Sequence, residues 1–244
     1  MTLSRALVRG VPDSFADCEL TWIERRRPDV QRARHQHAAY IAQIAASGLE
    51  LVVLPPDSDH PDCVFVEDIA LDLGHLRVLT SPGADSRRNE RSAVAAVLGE
   101  HVRMPEELRL DGGDVFRVGG RLFVGLSTRT SPEALVWLEE VSRLEVVPVE
   151  LDQVLHLKTA ATALDDRTLL CWPDSIDEGA FSGFEIIHTD GPNVLRLPDR
   201  VLVRSGTQTA GIARSRGYQV VELDISEFTV AEASLTCMSV LLHD

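Results

Sequence analysis

Lysine is almost missing from this 244-residue chain: of its 24 lysines and arginines, only Lys158 is a lysine. That bias points to a GC-rich genome more than to a function. Basic residues are also outnumbered, and the net charge is −14. The balance excludes sequence-independent binding to DNA or RNA, which needs a basic face. It suits the approach of a small cation. No apolar run approaches the roughly 20 residues that span a bilayer, so no membrane contact is expected. Residues 1–9 carry no long apolar stretch of the secretory type, and a reducing, cytoplasmic location is expected. Of the four cysteines, Cys18, Cys63, Cys171 and Cys237, no two form a CxxC pair. A structural zinc site is therefore not expected, and the thiols should be free. Gly/Ser linkers and low-complexity tracts are lacking too. With 44% apolar and 25% charged residues, the chain reads as one globular domain over residues 1–244.

What is present is a repeat. Residues 64–80 read as two apolar runs around the tip Asp72-Leu73-Gly74-His75. The same pattern recurs at 115–127 around Gly119-Gly120, at 159–171 around Asp165-Asp166, and at 194–204 around Pro198-Asp199. Each predicts a hairpin. A helical pattern and one more strand follow each: helices over 88–100, 131–144 (Ser cap, then Pro), a poor one over 177–182, and 207–216. The following strands are 145–149, ending near Pro148, then 184–188 and 218–223. A long helix over 28–47 precedes a strand at 49–54. An N-terminal strand at 6–9 would pair with the C-terminal run 238–242 to complete a fifth unit. Repetition at 35–50 residues suggests a closed radial array, with a plain mixed α/β sheet as the competing architecture.

Several segments carry chemistry, each with a plainer reading beside it. Asp62, Glu67 and Asp68 stand among strand-forming residues. They are either a solvated hairpin edge or a cluster that receives a planar cation, since carboxylates match a guanidinium in bidentate fashion. In Leu110-Asp111-Gly112-Gly113-Asp114 the paired glycines are either an ordinary turn or a place where backbone passes close to another group. His156 and Cys237 each read alone as a structural histidine and a buried thiol. Together, a thiolate, an imidazole and an orienting carboxylate make a nucleophilic site, for which Cys237, His156 and Asp111 are candidates. Spacing alone leaves open whether they meet. Arg87 and Arg129 are either solvated charges or a clamp for a substrate carboxylate.

The segments PDCVFVED, PGADSRRNE, LDGGDV, FVGLSTRT, HLKT and LTCMSV, in this order, resemble the dimethylarginine dimethylaminohydrolase family of guanidino-group-modifying enzymes. The likeness runs from residues 5–14 to the C-terminus. It implies the pentein fold, a five-bladed α/β propeller of ββαβ units with pseudo-fivefold symmetry, in agreement with the repeat. It implies hydrolysis of asymmetric dimethylarginine or monomethylarginine to citrulline and an amine, through a covalent thiouronium on cysteine. By position, the nucleophile falls on Cys237, the general acid and base on His156, and the orienting carboxylate on Asp111. Substrate carboxylates fall on Asp62, Glu67 and Asp68, and arginines for the α-carboxylate on Arg87 and Arg129. Backbone carbonyls for the α-amino group fall on Leu20 and Ala231. Ala231-Glu232 depart from the larger aliphatic residue and Asp-Gly usual there, and Met238 replaces a second cysteine seen in some relatives. No metal or other cofactor is implied; zinc would act only as an inhibitor at Cys237 and His156. The partner implied is a small molecule, and the chain would be a monomer or homodimer. The alternatives are a deiminase of unmethylated arginine, whose usual helical insertion is missing here, an amidinotransferase-like enzyme, or a non-catalytic amino-acid binder. Asp13–Trp22 is the segment expected to move over the site.

Overall fold

Short apolar runs on either side of a turn pair antiparallel, and each pair gains a third, parallel strand through a crossover. The computed structural model describes residues 2–22, 24 and 26–244. The chain opens with β1 (Leu3–Arg9), α1 (Val30–Ala46) and β2 (Glu50–Leu54). A second unit follows: β3 (Ala70–Asp72), β4 (Arg77–Leu79), α2 (Arg91–Leu98) and β5 (Val102–Arg103). The third is β6 (Val115–Val118), β7 (Arg121–Leu126), α3 (Pro132–Ser142) and β8 (Val146–Glu150). The fourth is α4 (Leu157–Ala160), β9 (Ala161–Ala163), β10 (Thr168–Cys171) and β11 (Glu185–His188). The fifth is β12 (Val194–Arg196), β13 (Val201–Arg204), α5 (Thr209–Ser215) and β14 (Val220–Leu223). The chain closes with α6 (Ser226–Thr229) and β15 (Ser239–His243).

The five sheets have the orders β15-β1-β2, β3-β4-β5, β6-β7-β8, β9-β10-β11 and β12-β13-β14. β15 enters the first sheet beside β1, with Leu7 opposite Val240 and Val8 opposite Ser239. The last strand in sequence thus completes the first unit, as the pattern of apolar ends predicts. β3, β6, β9, β12 and β15, one from each sheet, all line a single cavity of about 360 Å³. A cavity walled by five sheets in turn is the mark of radial closure, and a single continuous mixed sheet is excluded.

Three local readings are corrected, and the long helix shows which face it buries. Residues 66–69 form a 3-10 turn rather than strand. The three-residue period puts Val66 and Ile69 together in the core and turns Glu67 and Asp68 away from it. Pro148 lies inside β8, because β8 is the outer strand of its sheet and a missing N–H is tolerated there. The buried face of α1 is Ala33, Gln36, His37, Tyr40 and Ile44, while Ala38 and Ala39 face outward. Gln36 can be buried because its amide donates to Ser226 Oγ at 2.9 Å, and the Tyr40 hydroxyl bonds Ser239 Oγ at 2.7 Å. The fourth unit has only a 3-10 turn, Glu178–Phe181, in place of a helix. Phe181 does that helix's packing, against Phe116 and Phe123, and full burial of such a ring is worth about 2–3 kcal/mol. Among the described residues, no helix is long and apolar enough to cross a membrane.

Candidate active site

Three short turns deliver the polar side chains to one end of the propeller axis. In the turn Thr236–Met238, Leu235 and Met238 are fully buried, three residues apart, in the same core cluster. Cys237 between them is left partly exposed. His156 stands at the start of α4, where the next residue, Leu157, donates its N–H to Asp114 Oδ1 at 3.0 Å. Asp111 precedes the turn Gly112–Asp114. Its Oδ1 accepts from Gly83 N at 2.7 Å and its Oδ2 meets His156 Nε2 at 3.0 Å.

The paired glycines are required by close approach. A Cβ on Gly112 would stand 2.0 Å from the Glu67 carbonyl, and one on Gly113 would stand 2.7 Å from His156 Nδ1 and 2.8 Å from Asp68 Oδ1. No side chain fits there without moving the catalytic candidates. The Gly113 N–H instead donates to Asp68 Oδ1 at 3.1 Å.

A cavity of about 30 Å³ gathers Asp62, Asp68, Arg87, Asp111, Arg129, His156, Ala231 and Cys237. Cys237 and His156, separated by 81 positions in sequence, thus face the same small space. Leu20 and Glu67 are not on its wall. Leu20 packs against the core between Glu19 and Thr21. Glu67 turns behind Cys237, where its carboxylate accepts from Lys158 Nζ at 2.6 Å and from Thr236 Oγ1 at 2.8 Å. The structure therefore places Glu67 off the cavity wall, with the only lysine in the chain on its carboxylate. Arg87 lines the cavity but is buried, and most of its donors are used internally. It donates to Asp68 at 2.5 Å, to both oxygens of Glu90, and to the carbonyls of Asp62 and Phe65. It holds Asp68 in place, and Arg129 is the arginine with donors to spare. Arg129 Nη2 reaches Glu19 Oε2 at 3.2 Å and Thr21 Oγ1 at 3.3 Å.

The charges of the site set its protonation. Burial opposes a charged His156, yet the carboxylates of Asp68, Asp111 and Asp114 outweigh it and raise the imidazole to about 9. It is an imidazolium at neutral pH. Burial pushes the Cys237 thiol well above its ordinary range, and the charges of Glu67 and Asp68 push it further. Burial raises Asp62 to about 6 against the opposing pull of Arg87. Burial acts to raise Asp68 as well, but His156 and Arg87 hold it below the usual carboxylate range. Cys63 and Cys171 are raised by burial, as structural thiols are.

Two residues with no assigned role organise the site. Asp114, fully buried, takes hydrogen bonds from Ser127 and Thr130 as well as Leu157, at 2.5, 2.6 and 3.0 Å. It ties the loop that carries Arg129 to the loop that carries His156; its place in LDGGD was the sequence signal. Glu232 takes a left-handed conformation, φ 56°, and its carboxylate accepts from the N–H groups of Thr21 and Trp22 at 2.6 and 2.5 Å. The departure at Ala231-Glu232 thus still gives the tight turn usually made by glycine, at a backbone cost of order 1–3 kcal/mol. It also fastens the Asp13–Trp22 segment over the cavity. Among the described residues, Asp68, Asp111 and His156 form the one group of three potential metal ligands whose atoms all come within 4.8 Å of one another. Cys237 is not in that group, though it lines the same cavity as His156.

No family model matches the chain. A dimethylarginine dimethylaminohydrolase of Streptomyces coelicolor is 33% identical over 261 residues, covering 100% of this chain and 99% of that enzyme. One of Pseudomonas aeruginosa is 31% identical over 252 residues, covering 98% and 96%. The crystal structure of a cysteine-to-serine mutant of the Pseudomonas aeruginosa enzyme, complexed with citrulline, superposes with a TM-score of 0.92 at 29% identity, covering 99% and 100% of the two chains. The N-terminal domain of a cyanobacterial arginine dihydrolase superposes with a TM-score of 0.88 at 21% identity, covering 98% of each chain, and so shares the fold.

Proposed function

The chain belongs to the dimethylarginine dimethylaminohydrolase family, and from that premise we propose that it hydrolyses N-omega-methylated arginine to citrulline and methylamine or dimethylamine. The observation that carries the reading is Cys237 and His156 on the wall of one small cavity rich in carboxylates. A guanidinium is a resonance-stabilised cation and a poor electrophile, so the protein must orient it and supply both a strong nucleophile and a proton. Asp68, held ionised, and Asp62 receive the cation. The cation's arrival offsets the negative charges that keep Cys237 protonated. The thiol then loses its proton to solvent, and the thiolate forms as substrate binds.

The thiolate attacks the guanidinium carbon and a C–S bond forms. His156, already an imidazolium, donates its proton to the methylated nitrogen, the C–N bond breaks and the amine leaves. The product on Cys237 is a thiouronium. The neutral imidazole next takes a proton from water, the hydroxide adds to the same carbon, the C–S bond breaks to release the thiolate, and the new C–OH gives its proton to solvent as citrulline forms. Positioned proton transfer of this kind contributes about 10²–10⁴-fold. Asp111 holds the ring through Nε2 and Asp68 stands 3.9 Å from Nδ1. Every step is assigned to a protein group and invokes no cofactor. Zinc is proposed only as an inhibitor at Cys237 and His156, where it would take both the sulfur and the ring out of the reaction.

Incubation with asymmetric dimethylarginine, monomethylarginine and arginine, assaying citrulline together with dimethylamine, methylamine and ammonia, tests the reading. Release of a methylated amine with citrulline is the expected result. Ammonia from arginine as the main product would make the protein a deiminase. Binding of all three without turnover would make it a binding protein.

A further inference from the structure

We propose that Glu19 and Arg129 form a paired receptor for the zwitterionic head of the substrate, Arg129 taking the α-carboxylate and Glu19 the α-ammonium; this rests on the amino-acid substrate proposed above and adds a specificity-determining residue to it. Glu19 and Arg129 both line the cavity that holds Cys237. Their ion pair closes at 3.2 Å, with the arginine side chain 14% and the glutamate 41% exposed. Arg129 spends only Nη2 on this contact and on Thr21. Among the described residues its Nε and Nη1 have no hydrogen-bond partner, and they are the donors left for a carboxylate. The other carboxylate oxygen, Oε1, accepts from the Ser86 hydroxyl, and the Glu19 N–H donates to both oxygens of Asp62, at 3.2 and 3.3 Å. Glu19 is therefore anchored on three sides at the cavity mouth.

In an α-amino acid the ammonium and carboxylate are joined through one carbon. A carboxylate that accepts from Nε or from Nη1 lies next to Nη2, because both open edges of the guanidinium meet there, and so it places its ammonium beside whatever Nη2 holds. The neighbour is the Glu19 carboxylate. The carbonyls expected from Leu20 and Ala231 offer dipoles to the ammonium, but Glu19 offers the full opposite charge. Four alternating charges result, and Glu19 and Arg129 stay near each other throughout. A charged hydrogen bond with solvent access on the Glu19 side contributes about tenfold in affinity, or about 1.4 kcal/mol.

The test uses full-length protein, dimethylarginine, and its deamino counterpart, 5-(N,N-dimethylguanidino)pentanoate. Glu19→Gln should raise KM for dimethylarginine about tenfold, with the loss on KM rather than kcat, and leave KM for the deamino compound where it was. Glu19→Asp, which keeps the charge, should recover most of the preference. A fall in KM for both compounds would show that Glu19 competes with substrate for Arg129, and an equal rise for both would show that it only braces the loop; either overturns the proposal, as does no change. Calorimetric binding of the two compounds to Cys237→Ser, with and without Glu19→Gln, reads the same preference without turnover. Failure of wild-type turnover would thus count against the reaction alone, and equal binding of the two compounds against the receptor alone.

Discussion

At Cys237 the structure combines two facts that pull in opposite directions: the thiol proposed as nucleophile stands on the cavity wall, and its surroundings keep it protonated. Both are reconciled if the substrate's own positive charge completes the electrostatics. Cys237→Ser should lower kcat at least about a thousandfold, because a hydroxyl is far harder to ionise than a thiol, and should leave Tm within about 2 °C, because a partly exposed thiol contributes little packing. Assay and calorimetry on the same sample check both. His156 sets the alkaline limit. With substrate bound, kcat should rise with pH as the thiol is released and fall at alkaline pH as the imidazolium, raised to about 9 in the free protein, is lost. The sign for stability follows from the same value. His156 is raised from 6.5 to about 9, so the stability its charge supplies is complete below about 6.5 and is lost as pH rises through about 9. The Tm gap between wild type and His156→Asn should narrow across that window, and a constant gap would remove the charge from the account.

Among the elements, the turn Val66–Ile69 and the turn Thr236–Met238 lean on each other through Lys158, Glu67 and Thr236. Asn193 adds to the same group, donating to Thr236 Oγ1 at 3.0 Å and to the Lys158 carbonyl at 2.9 Å. This network lies directly behind the nucleophile. Lys158→Met would strand a buried carboxylate, at a cost of about 3–5 kcal/mol, or a Tm lower by roughly 6–20 °C for a chain of this size. It would also remove a positive charge that opposes the upward push on Cys237 and so move the rising limb of the pH profile to higher pH. The double variant Lys158→Met, Glu67→Gln should recover part of the Tm but not the original profile. Thermal melts and pH-rate curves of both proteins separate the two effects.

For the molecule as a whole, closure through β15 brings the chain ends together. Asp244 N donates to the Thr2 carbonyl at 3.2 Å. A circular permutant that joins the ends by a short linker and opens the turn at Gly119-Gly120 keeps every strand pair. It should fold with activity within about threefold of wild type, since such turns tolerate new termini. Loss of folding with a linker of sufficient length would mean that the order of the units, and not only their contacts, is needed.

Periodicity and turn residues made the repeat legible. Apolar runs flanking Gly119-Gly120 or Pro198-Asp199 have few alternatives to a hairpin, and five such units with apolar ends have few alternatives to closure. The kinds of residue needed for guanidine chemistry were legible too, because a thiol, an imidazole and clustered carboxylates stand in segments of distinctive pattern. Which carboxylate faces the substrate was not. Glu67 and Asp68 are neighbours in sequence, and only the 3-10 turn, with Lys158 reaching across from α4, sends one behind the nucleophile and leaves the other on the cavity wall. Arg87 and Arg129 look alike on paper; burial beside Glu90 commits the first, and a place at the mouth leaves the second with donors to spare. Local patterns are written in local spacing, so the chain states them outright. The partners of some buried charges, Lys158 for Glu67 among them, come from other units of the propeller, and that assignment exists only once the ring has closed.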